Sequence, residues 1–322
     1  MEIEKLPKIE LHLHLDGCVR FETASELLDK DINEIKKIMI APDKCLDLND
    51  YLTKFEMPIK IMQTKENLIR IAHELVLDLE KENVIYAEIR FAPIKHTLEG
   101  LNLDEVIESV LIGLKRGNIK TNLILCMMRD SSYYENIKII ELSKRYLNKG
   151  VVGLDLAGAE AIYKTEKFES LFSIINSYNI PFTIHAGEAD GIDSVESAIN
   201  FKTTRIGHGI RSIESIDTVK KIKDNNILLE VCPTSNVQTN VVKDYKSHPI
   251  KKLFDLGAKV CINTDNRTVS NTTLTNEYIN IINSLNFSID DIIKMNIDAI
   301  NSSFLDNNQK DELLRKYISK LK

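Results

Sequence analysis

Hydrophobic residues recur along the chain in eight short runs, and each run is followed by a longer stretch with the apolar spacing of a helix. Strands that alternate with helices predict a parallel sheet, and eight such units close a (β/α)8 TIM-type barrel of the α/β class. A doubly wound open sheet is the alternative. The predicted strands cover residues 8–15, 85–93, 121–129, 151–158, 181–188, 205–209, 227–236 and 259–266.

The connection between the first two runs is much longer than the others, which predicts a helical insertion after strand 1. Within it, residues 65–81 repeat apolar side chains every three or four positions, from Leu68 to Leu79, and this spacing predicts an amphipathic helix. Because loops after barrel strands surround the active site, residues 48–58 could form an apolar wall or lid over it. A helix that only packs on the barrel is the alternative.

The last stretch, residues 289–322, also has a helical pattern, and neither a linker nor a repeat interrupts the chain. One barrel commonly takes about 250 residues or more, so a chain of 322 residues fits a barrel with additional helices. We therefore expect a single domain that covers residues 1–322 and ends in C-terminal helices.

Composition and charge narrow the classes of partner. Hydrophobic residues make up 43% and charged residues 28%, as in ordinary globular proteins, and the net charge of −6 is unfavourable for a phosphate backbone. No segment approaches the roughly 20 apolar residues of a membrane span, and the start MEIEKLPKIE lacks the apolar core of a secretory signal. We expect a cytoplasmic protein that binds a small molecule and neither nucleic acid nor a membrane.

The five cysteines are scattered and include no Cys-x-x-Cys pair. Their placement argues against a disulfide framework and against a zinc site built from thiolates. It is compatible with a reducing compartment.

Histidines gather at the C-terminal ends of the predicted strands, where barrel enzymes carry their catalytic groups. In the segment ELHLHLDG, His12 and His14 share one face of the first strand because side chains alternate along a strand. His185, His208 and Asp265 close the fifth, sixth and eighth strands. A lone buried histidine is more often a hydrogen-bonded core residue, but three histidines with one aspartate suit Zn²⁺, with Fe²⁺, Co²⁺ or Mn²⁺ as alternatives.

Six motifs follow one another between residues 12 and 266: HLHLDG, DLAG, HAGE, IGHG, CPTSN and NTDN. A further motif, NSSF, lies near the C-terminus. This ordered set resembles the adenosine deaminase family of the amidohydrolase superfamily over nearly the whole chain. The pattern of the other zinc deaminases, H-x-E with P-C-x-x-C, is absent.

The resemblance implies one divalent metal ion per chain, Zn²⁺ by preference, and a specific set of site residues. It implies the metal ligands His12, His14, His185 and Asp265. It implies as catalytic groups Glu188, the proton donor to purine N1, His208, beside the attacking water, and Asp265, which also orients that water. It implies that the substrate contacts His14, Asp16 at the ribose 5′-hydroxyl, the backbone N–H of Gly158 at purine N3, and Asn266.

Several of these residues have a structural alternative. Asp16 could cap a helix that begins near Phe21, and Gly158 could serve a tight turn. Glu188 could be an exposed loop carboxylate, and His208 could be a hydrogen-bonded core imidazole.

Asn266 departs from the pattern of the family, in which many members carry a second aspartate that contacts purine N7. An aspartate must be protonated to donate to N7, whereas an asparagine amide donates at any pH. The contact can therefore persist, with a changed preference for the base or a changed pH profile. The following residue, Arg267, could instead bind a carboxylate or a phosphate of the ligand.

Together these residues predict hydrolytic deamination of adenosine, and of 2′-deoxyadenosine, to inosine or deoxyinosine and ammonia. The alternative substrates are adenine, methylthioadenosine or an adenosine nucleotide, and Asp16 argues against them, since a carboxylate repels a 5′-phosphate and gains nothing from a thioether. An amidohydrolase that cleaves a cyclic amide or phosphoester, and a barrel that only binds nucleoside, are further alternatives. The sequence does not indicate an oligomeric state.

Overall fold

The computed structural model of the protein describes residues 2–321, and among these residues eight parallel strands pair in chain order. They form two groups of four, and bridges at both seams, Leu13 with Asp265 and Leu154 with Phe182, join the groups into a ring. The predicted barrel is thereby confirmed. The strands are β1 (Lys8–His14), β2 (Val84–Phe91), β3 (Lys120–Met128), β4 (Val151–Ala157), β5 (Thr183–Ala186), β6 (Arg205–His208), β7 (Leu228–Val231) and β8 (Lys259–Ile262).

At least one helix follows each strand, and the predicted insertion after β1 contains the first five helices. Within residues 2–321, no helix is both long and apolar enough to cross a membrane. The helices are α1 (Phe21–Leu28), α2 (Ile32–Met39), α3 (Leu48–Leu52), α4 (Glu56–Ile61), α5 (Lys65–Lys81), α6 (Leu103–Leu114), α7 (Tyr133–Tyr146), α8 (Glu169–Ser177), α9 (Ile192–Asn200), α10 (Ile216–Asp224), α11 (Pro233–Gln238), α12 (Ile250–Asp255), α13 (Leu274–Leu285), α14 (Ile289–Ser302) and α15 (Asn307–Lys320).

Helix α5 covers the residues predicted from the spacing, and that prediction is confirmed. The Thr64 hydroxyl accepts the backbone N–H of Asn67 at 3.2 Å and thereby satisfies one of the unpaired donors at the start of the helix. The apolar face from Leu68 to Leu79 is buried. The predicted C-terminal helices are present as α14 and α15.

The seventh predicted strand, residues 227–236, is wrong at its C-terminal end. Strand β7 ends at Val231, and Pro233 begins α11. Proline is favoured in the first turn of a helix because it lacks an N–H that would otherwise be unpaired there. The fifth and eighth strands also end earlier than predicted, since Gly187 and Asn263 to Asn266 are buried without extending the strands.

Charged side chains cross the interior of the barrel. Arg90 on β2 donates to Glu230 on β7, and Arg205 on β6 donates to Glu230 and to Glu88 on β2. Strand β2 is a neighbour of neither β6 nor β7 in the ring, so the contacts of Arg90 with Glu230 and of Arg205 with Glu88 pass through its centre. Branched apolar side chains usually fill this space, and buried charges cost several kcal/mol each to desolvate. Buried charges at such a cost indicate that these side chains support a functional site at the neighbouring strand ends.

Candidate active site

Three histidines and one aspartate converge at the C-terminal ends of the strands. His12 and His14 lie at the end of β1, His185 lies in β5, and Asp265 follows β8. The Nε2 atoms of His12 and His14 each lie 3.4 Å from Asp265 Oδ1, and the Nε2 atoms of His14 and His185 lie 3.2 Å apart. The structure therefore brings together all four residues expected to be metal ligands.

This group fits a divalent metal ion. The Nε2 atom of His12 is buried and has no hydrogen-bond partner within the described residues. Imidazole nitrogens and a carboxylate oxygen are ligands that suit Zn²⁺. A ring nitrogen of His208 lies within 4.8 Å of ligand atoms of His12, His185 and Asp265, so this histidine borders the same site.

Two residues of the site have a left-handed backbone. His208 and Asp265 both have a φ of 60°. This conformation costs most residues other than glycine roughly 1–2 kcal/mol. The chain thus accepts strained conformations where β6 ends and just beyond β8, as functional sites commonly do.

Buried carboxylates hold the second ring nitrogens of two histidines. His12 Nδ1 lies 3.0 Å from Glu230 Oε2, and His185 Nδ1 lies 3.0 Å from Asp155 Oδ2. Arg90 joins the two carboxylates, since it donates to Asp155 at 2.9 Å and to Glu230 at 2.8 Å. When Nδ1 donates to a carboxylate, the lone pair of Nε2 is left to bind a metal ion.

The surrounding charges keep both carboxylates ionised. Burial raises the pKa of Glu230, but Arg90 and Arg205 outweigh this effect and hold the pKa well below its usual range. Burial also acts to raise the pKa of Asp155, and His185 and Arg90 lower it overall. Both groups therefore accept hydrogen bonds from imidazole N–H groups at neutral pH.

Glu188 follows β5 and is only 3% exposed. Its Oε1 has no partner among residues 2–321, and its Oε2 lies 3.5 Å from His208 Nε2. Burial raises the pKa of Glu188 well above its usual range, and the carboxylates of Asp265 and Glu160 raise it further. Burial thus favours the protonated carboxyl group, the form that can donate, and the alternative of an exposed loop carboxylate is wrong.

The ring of His208 is hydrogen-bonded to Asn236, which in turn contacts the buried His248. Asn236 Nδ2 donates to His208 Nδ1 at 3.0 Å, and Asn236 Oδ1 lies 3.2 Å from His248 Nε2. Since Nδ1 accepts, a neutral ring carries its proton on Nε2, the nitrogen that faces Glu188. Burial lowers the pKa of His208 well below its usual value, so the ring is neutral. His208 is both hydrogen-bonded and part of the site.

A cavity of about 280 Å³ lies beside these groups. The insertion contributes an apolar wall to it, and the predicted role of residues 48–58 as a wall is confirmed. Apolar surface with a few convergent polar groups suits a flat heteroaromatic ligand. The insertion residues in the lining are Leu48, Tyr51, Leu52, Phe55 and Ile59. The polar lining includes His14, Asp16, His185, Glu188, His208, Asp265 and Asn266.

Asp16 lies in the short helical turn Asp16–Cys18 and lines the cavity. Its Oδ1 is buried without a partner in the described part of the chain, and burial raises the pKa of Asp16 to about 6. Helix α1 begins after Arg20, and no side chain caps it, so the interpretation of Asp16 as the cap near Phe21 is wrong. An unpaired buried carboxylate oxygen at a cavity wall is an acceptor for a ligand.

Gly158 lines the cavity as well. Its φ of 106° favours glycine, and a Cβ at this position would lie 3.3 Å from Met128 Cε. The residue therefore lies at a bend of the chain directly after β4, and it also presents backbone to the cavity.

Asn266 packs closely against Gly17, where a Cβ would lie 2.0 Å from Asn266 Oδ1. Its Nδ2 donates to the hydroxyl of Tyr51 at 3.0 Å, and that hydroxyl lies 2.7 Å from Ser270 Oγ. The insertion thus holds the amide of Asn266 at the edge of the cavity.

Arg267 pairs with a side chain of the protein and not with a group in the cavity. Its guanidinium forms a salt bridge with Glu82. It is not among the described residues that line the cavity. The hypothesis that Arg267 binds a carboxylate or phosphate of the ligand is therefore wrong.

Sequence reasoning missed four charged residues that support the site: Arg90, Asp155, Glu160 and Glu230. Three of them carry a signal, because each stands inside an apolar strand, in the segments AEIRF, LDLA and LLEV. A charge in a buried strand requires a buried partner, so these three could have been recognised. Glu160 lies in a loop and carries no such signal.

Comparison with known proteins agrees with the geometry. The family model described as adenosine deaminase matches residues 7–320. Adenosine deaminases from Enterococcus faecalis and Clostridium acetobutylicum are 39% and 41% identical; each match covers 98% of this chain, with 96% and 98% of those proteins. The N6-methyl-AMP deaminase from Arabidopsis thaliana superposes with a TM-score of 0.87 at 26% identity, covering 98% of this chain and 97% of that one. The chain belongs to the adenosine deaminase family.

Proposed function

We propose that the chain hydrolyses adenosine and 2′-deoxyadenosine to inosine or 2′-deoxyinosine and ammonia, with residues 1–322 acting as one domain. The observation that carries this proposal is the buried carboxyl group of Glu188, with its pKa raised well above the usual range, in a cavity beside the four converging ligand side chains. The adenosine deaminases that are about 40% identical to nearly the whole chain support it. The protein is accordingly a hydrolytic enzyme.

His12, His14, His185 and Asp265 would hold one metal ion, which we take to be Zn²⁺ from the chemistry of the donor set. When bound, the ion supplies a Lewis acid that lowers the pKa of water from 15.7 to about 7. Glu230 and Asp155 orient His12 and His185 for this role. Asp265 has a second carboxylate oxygen that can hold the attacking water.

Glu188 is proposed to protonate purine N1 while water oxygen adds to C6. The proton on N1 neutralises the negative charge that develops on the purine ring as the oxygen adds. Glu188 is left as a carboxylate, and His208 Nε2–H, 3.5 Å from Glu188 Oε2, stabilises it. The amino group leaves as ammonia with a proton from the attacking water. The proton of the new C6 hydroxyl returns to Glu188, and C6 becomes the carbonyl carbon of inosine.

Asp16 is proposed to accept the 5′-hydroxyl of the ribose through its unpaired Oδ1. A carboxylate in this position would repel a 5′-phosphate group, and it would have no hydrogen-bond partner on free adenine, which lacks the ribose. The name of the Arabidopsis relative indicates a nucleotide substrate, and Asp16 argues that this chain differs from it in preferring a nucleoside.

Gly158 and Asn266 are proposed to bind the purine from the cavity wall. The backbone N–H of Gly158 would donate to purine N3. The Asn266 Nδ2 carries two hydrogens and gives one to Tyr51, so the other is available to purine N7. His14 contacts the substrate from the metal side of the cavity.

A substrate panel tests the proposal. Purified protein loaded with Zn²⁺ is incubated with adenosine, 2′-deoxyadenosine, adenine, 5′-methylthioadenosine and AMP, and ammonia release is followed together with the ultraviolet spectrum. Since a hydrogen bond to a charged group changes binding by about 10- to 100-fold, kcat/KM for the first two compounds should exceed that of the others by at least this factor. Turnover of adenine or AMP without turnover of adenosine would refute the substrate assignment.

The Glu188→Gln variant tests the proton donor. Glutamine keeps the size of the side chain but has no acidic proton, so kcat should fall by about 10²- to 10⁴-fold while the metal content stays the same. A variant that retained full activity would show that another group protonates the ring.

A further inference from the structure

We propose that Glu160 is a positioning residue for the reaction, because its carboxylate holds the segment after β5 and thereby fixes the carboxyl group of Glu188 against the substrate ring. This inference rests on the proposed function, in which Glu188 is the proton donor. Glu160 lies two residues after Gly158, in the connection after β4, and is completely buried.

Within the described residues, five donors surround this carboxylate. Its Oε1 accepts the backbone N–H of Gly187 at 2.6 Å and the hydroxyl of Ser194 at 2.5 Å. Its Oε2 accepts the backbone N–H groups of Glu188, Ala189 and Asp190 at 3.0, 2.7 and 3.0 Å. Successive backbone N–H groups that point at one centre form a site for an anion. A neutral glutamine would turn its NH₂ group towards some of these donors and lose their hydrogen bonds.

A cation holds the same segment at its start. Arg129 Nη2 donates to the carbonyl of His185 at 2.6 Å and to Thr165 Oγ1 at 2.9 Å. Thr165 Oγ1 lies 2.6 Å from Ser194 Oγ, so hydrogen bonds continue from Arg129 to Glu160. The backbone is thus fixed through a C=O group near the end of β5 and through the four N–H groups that follow the strand.

The side chain of Glu188 has no comparable anchor of its own. In the part of the chain that the structure describes, its Oε1 has no partner, and its Oε2 lies 3.5 Å from His208 Nε2. The position of the carboxyl group therefore follows the position of the backbone that Glu160 holds. Proton transfer requires donor and acceptor within about 2.6–3.2 Å, and a displacement of about 1 Å can cost roughly 100-fold in rate.

The Glu160→Gln variant tests this role in the zinc-loaded protein. With adenosine as substrate, kcat should fall about 10- to 100-fold while KM changes by less than about threefold, because the other proposed contacts to the sugar and the base, from Asp16, Gly158 and Asn266, lie outside the held segment. Hydrogen–deuterium exchange at the backbone amides of residues 187–190 should become faster, and exchange in β1 should not change. The zinc content should equal that of the wild type.

Two further variants serve as controls. Glu166 is exposed in the same connection, and Glu166→Gln makes the same change in charge, so kinetics and exchange should match the wild type. Ser194→Ala removes one donor from the carboxylate, and it should lower kcat by about 2- to 10-fold with a smaller increase in exchange. If Glu160→Gln does not fold, unchanged kcat and exchange in Ser194→Ala would overturn the proposal.

Other results would overturn it as well. Faster exchange at residues 187–190 with a wild-type kcat would show that catalysis does not depend on the held segment, and unchanged exchange would show that Glu160 does not hold it. A loss of zinc in proportion to kcat would assign Glu160 to assembly of the metal site. A wild-type protein that does not deaminate adenosine would instead refute the proposed function, and the exchange data would still decide whether Glu160 holds the segment.

Discussion

Replacing Glu230 by glutamine should weaken zinc binding although Glu230 is not a ligand. Its Oε2 lies 3.0 Å from His12 Nδ1 and accepts from Arg90 at 2.8 Å, and its Oε1 accepts from Arg205 at 2.6 Å. A glutamine side chain has the same length but carries no charge. It cannot hold the tautomer of His12 as strongly, and it leaves two buried guanidinium groups without a shared counter-charge.

The loss of the carboxylate that orients His12 should raise the dissociation constant for zinc about 10- to 100-fold, which corresponds to about 1.4–2.7 kcal/mol. Arg90 and Arg205 would lose their shared counter-charge and keep only Asp155 and Glu88 as partners, which should lower the free energy of unfolding by at most roughly 3–5 kcal/mol. The free energy of unfolding of a natural protein is typically about 5–15 kcal/mol, so a loss of this size should leave the variant folded. Both losses are then measurable on one protein.

The dissociation constant is measured at neutral pH by competition with a chromophoric chelator, and the free energy of unfolding is measured in urea. Glu214→Gln is the control, because Glu214 pairs with Arg211 at the surface, and the same change in charge there should leave zinc affinity unchanged. Asp155→Asn should weaken zinc binding by a similar factor through His185. A Glu230→Gln protein that bound zinc like the wild type, with only its stability reduced, would refute the reasoning.

Three other predictions concern the substrate, the pH and the metal. Asp16→Ala should lower kcat/KM for adenosine about 10- to 100-fold and leave any adenine turnover unchanged, and an equal loss on both compounds in steady-state assays would assign Asp16 a structural role. Burial lowers the pKa of His96 from 6.5 to about 4, so the folded protein binds fewer protons than the unfolded chain between these values. The free energy of unfolding should therefore fall by about 3 kcal/mol as the pH drops through this window, and a urea-unfolding profile that His96→Asn did not flatten would contradict this. A chelator should remove about one metal ion per chain, stop ammonia release and lower the Tm until Zn²⁺ is added back, whereas continued activity of the chelated protein would exclude the metal role.

The hydrophobic pattern predicted the barrel well because each strand is buried and each helix needs one apolar face. Helix α5 shows this best, since the apolar spacing alone predicted the residues that it covers. The pattern was less accurate at the ends of strands. Residues after Val231 and after Ile262 are buried without continuing the strands, so hydrophobic or buried character alone does not separate them from the strand.

The site was predictable where the chemistry of a residue is visible in its type and position, as with the histidines at strand ends. The groups that support them were not, because their partners lie far away along the chain. Arg90 and Glu230 are 140 positions apart, and their contact depends on closure of the barrel. Glu160 could not be recognised for the same reason, since its proposed role depends on the position of the loop after β5.

The four residues that converge on the proposed metal position come in equal numbers from the two halves of the ring. His12 and His14 belong to the group that begins with β1, whereas His185 and Asp265 belong to the group from β5 to β8. At the seam between β1 and β8, Asp265 exchanges backbone hydrogen bonds with His12 and His14 at 3.0 and 2.8 Å. A bound ion would therefore cross-link the two half-barrels beside a seam whose strands, β1 and β8, are far apart in sequence, and part of its binding energy would be spent on keeping the ring closed.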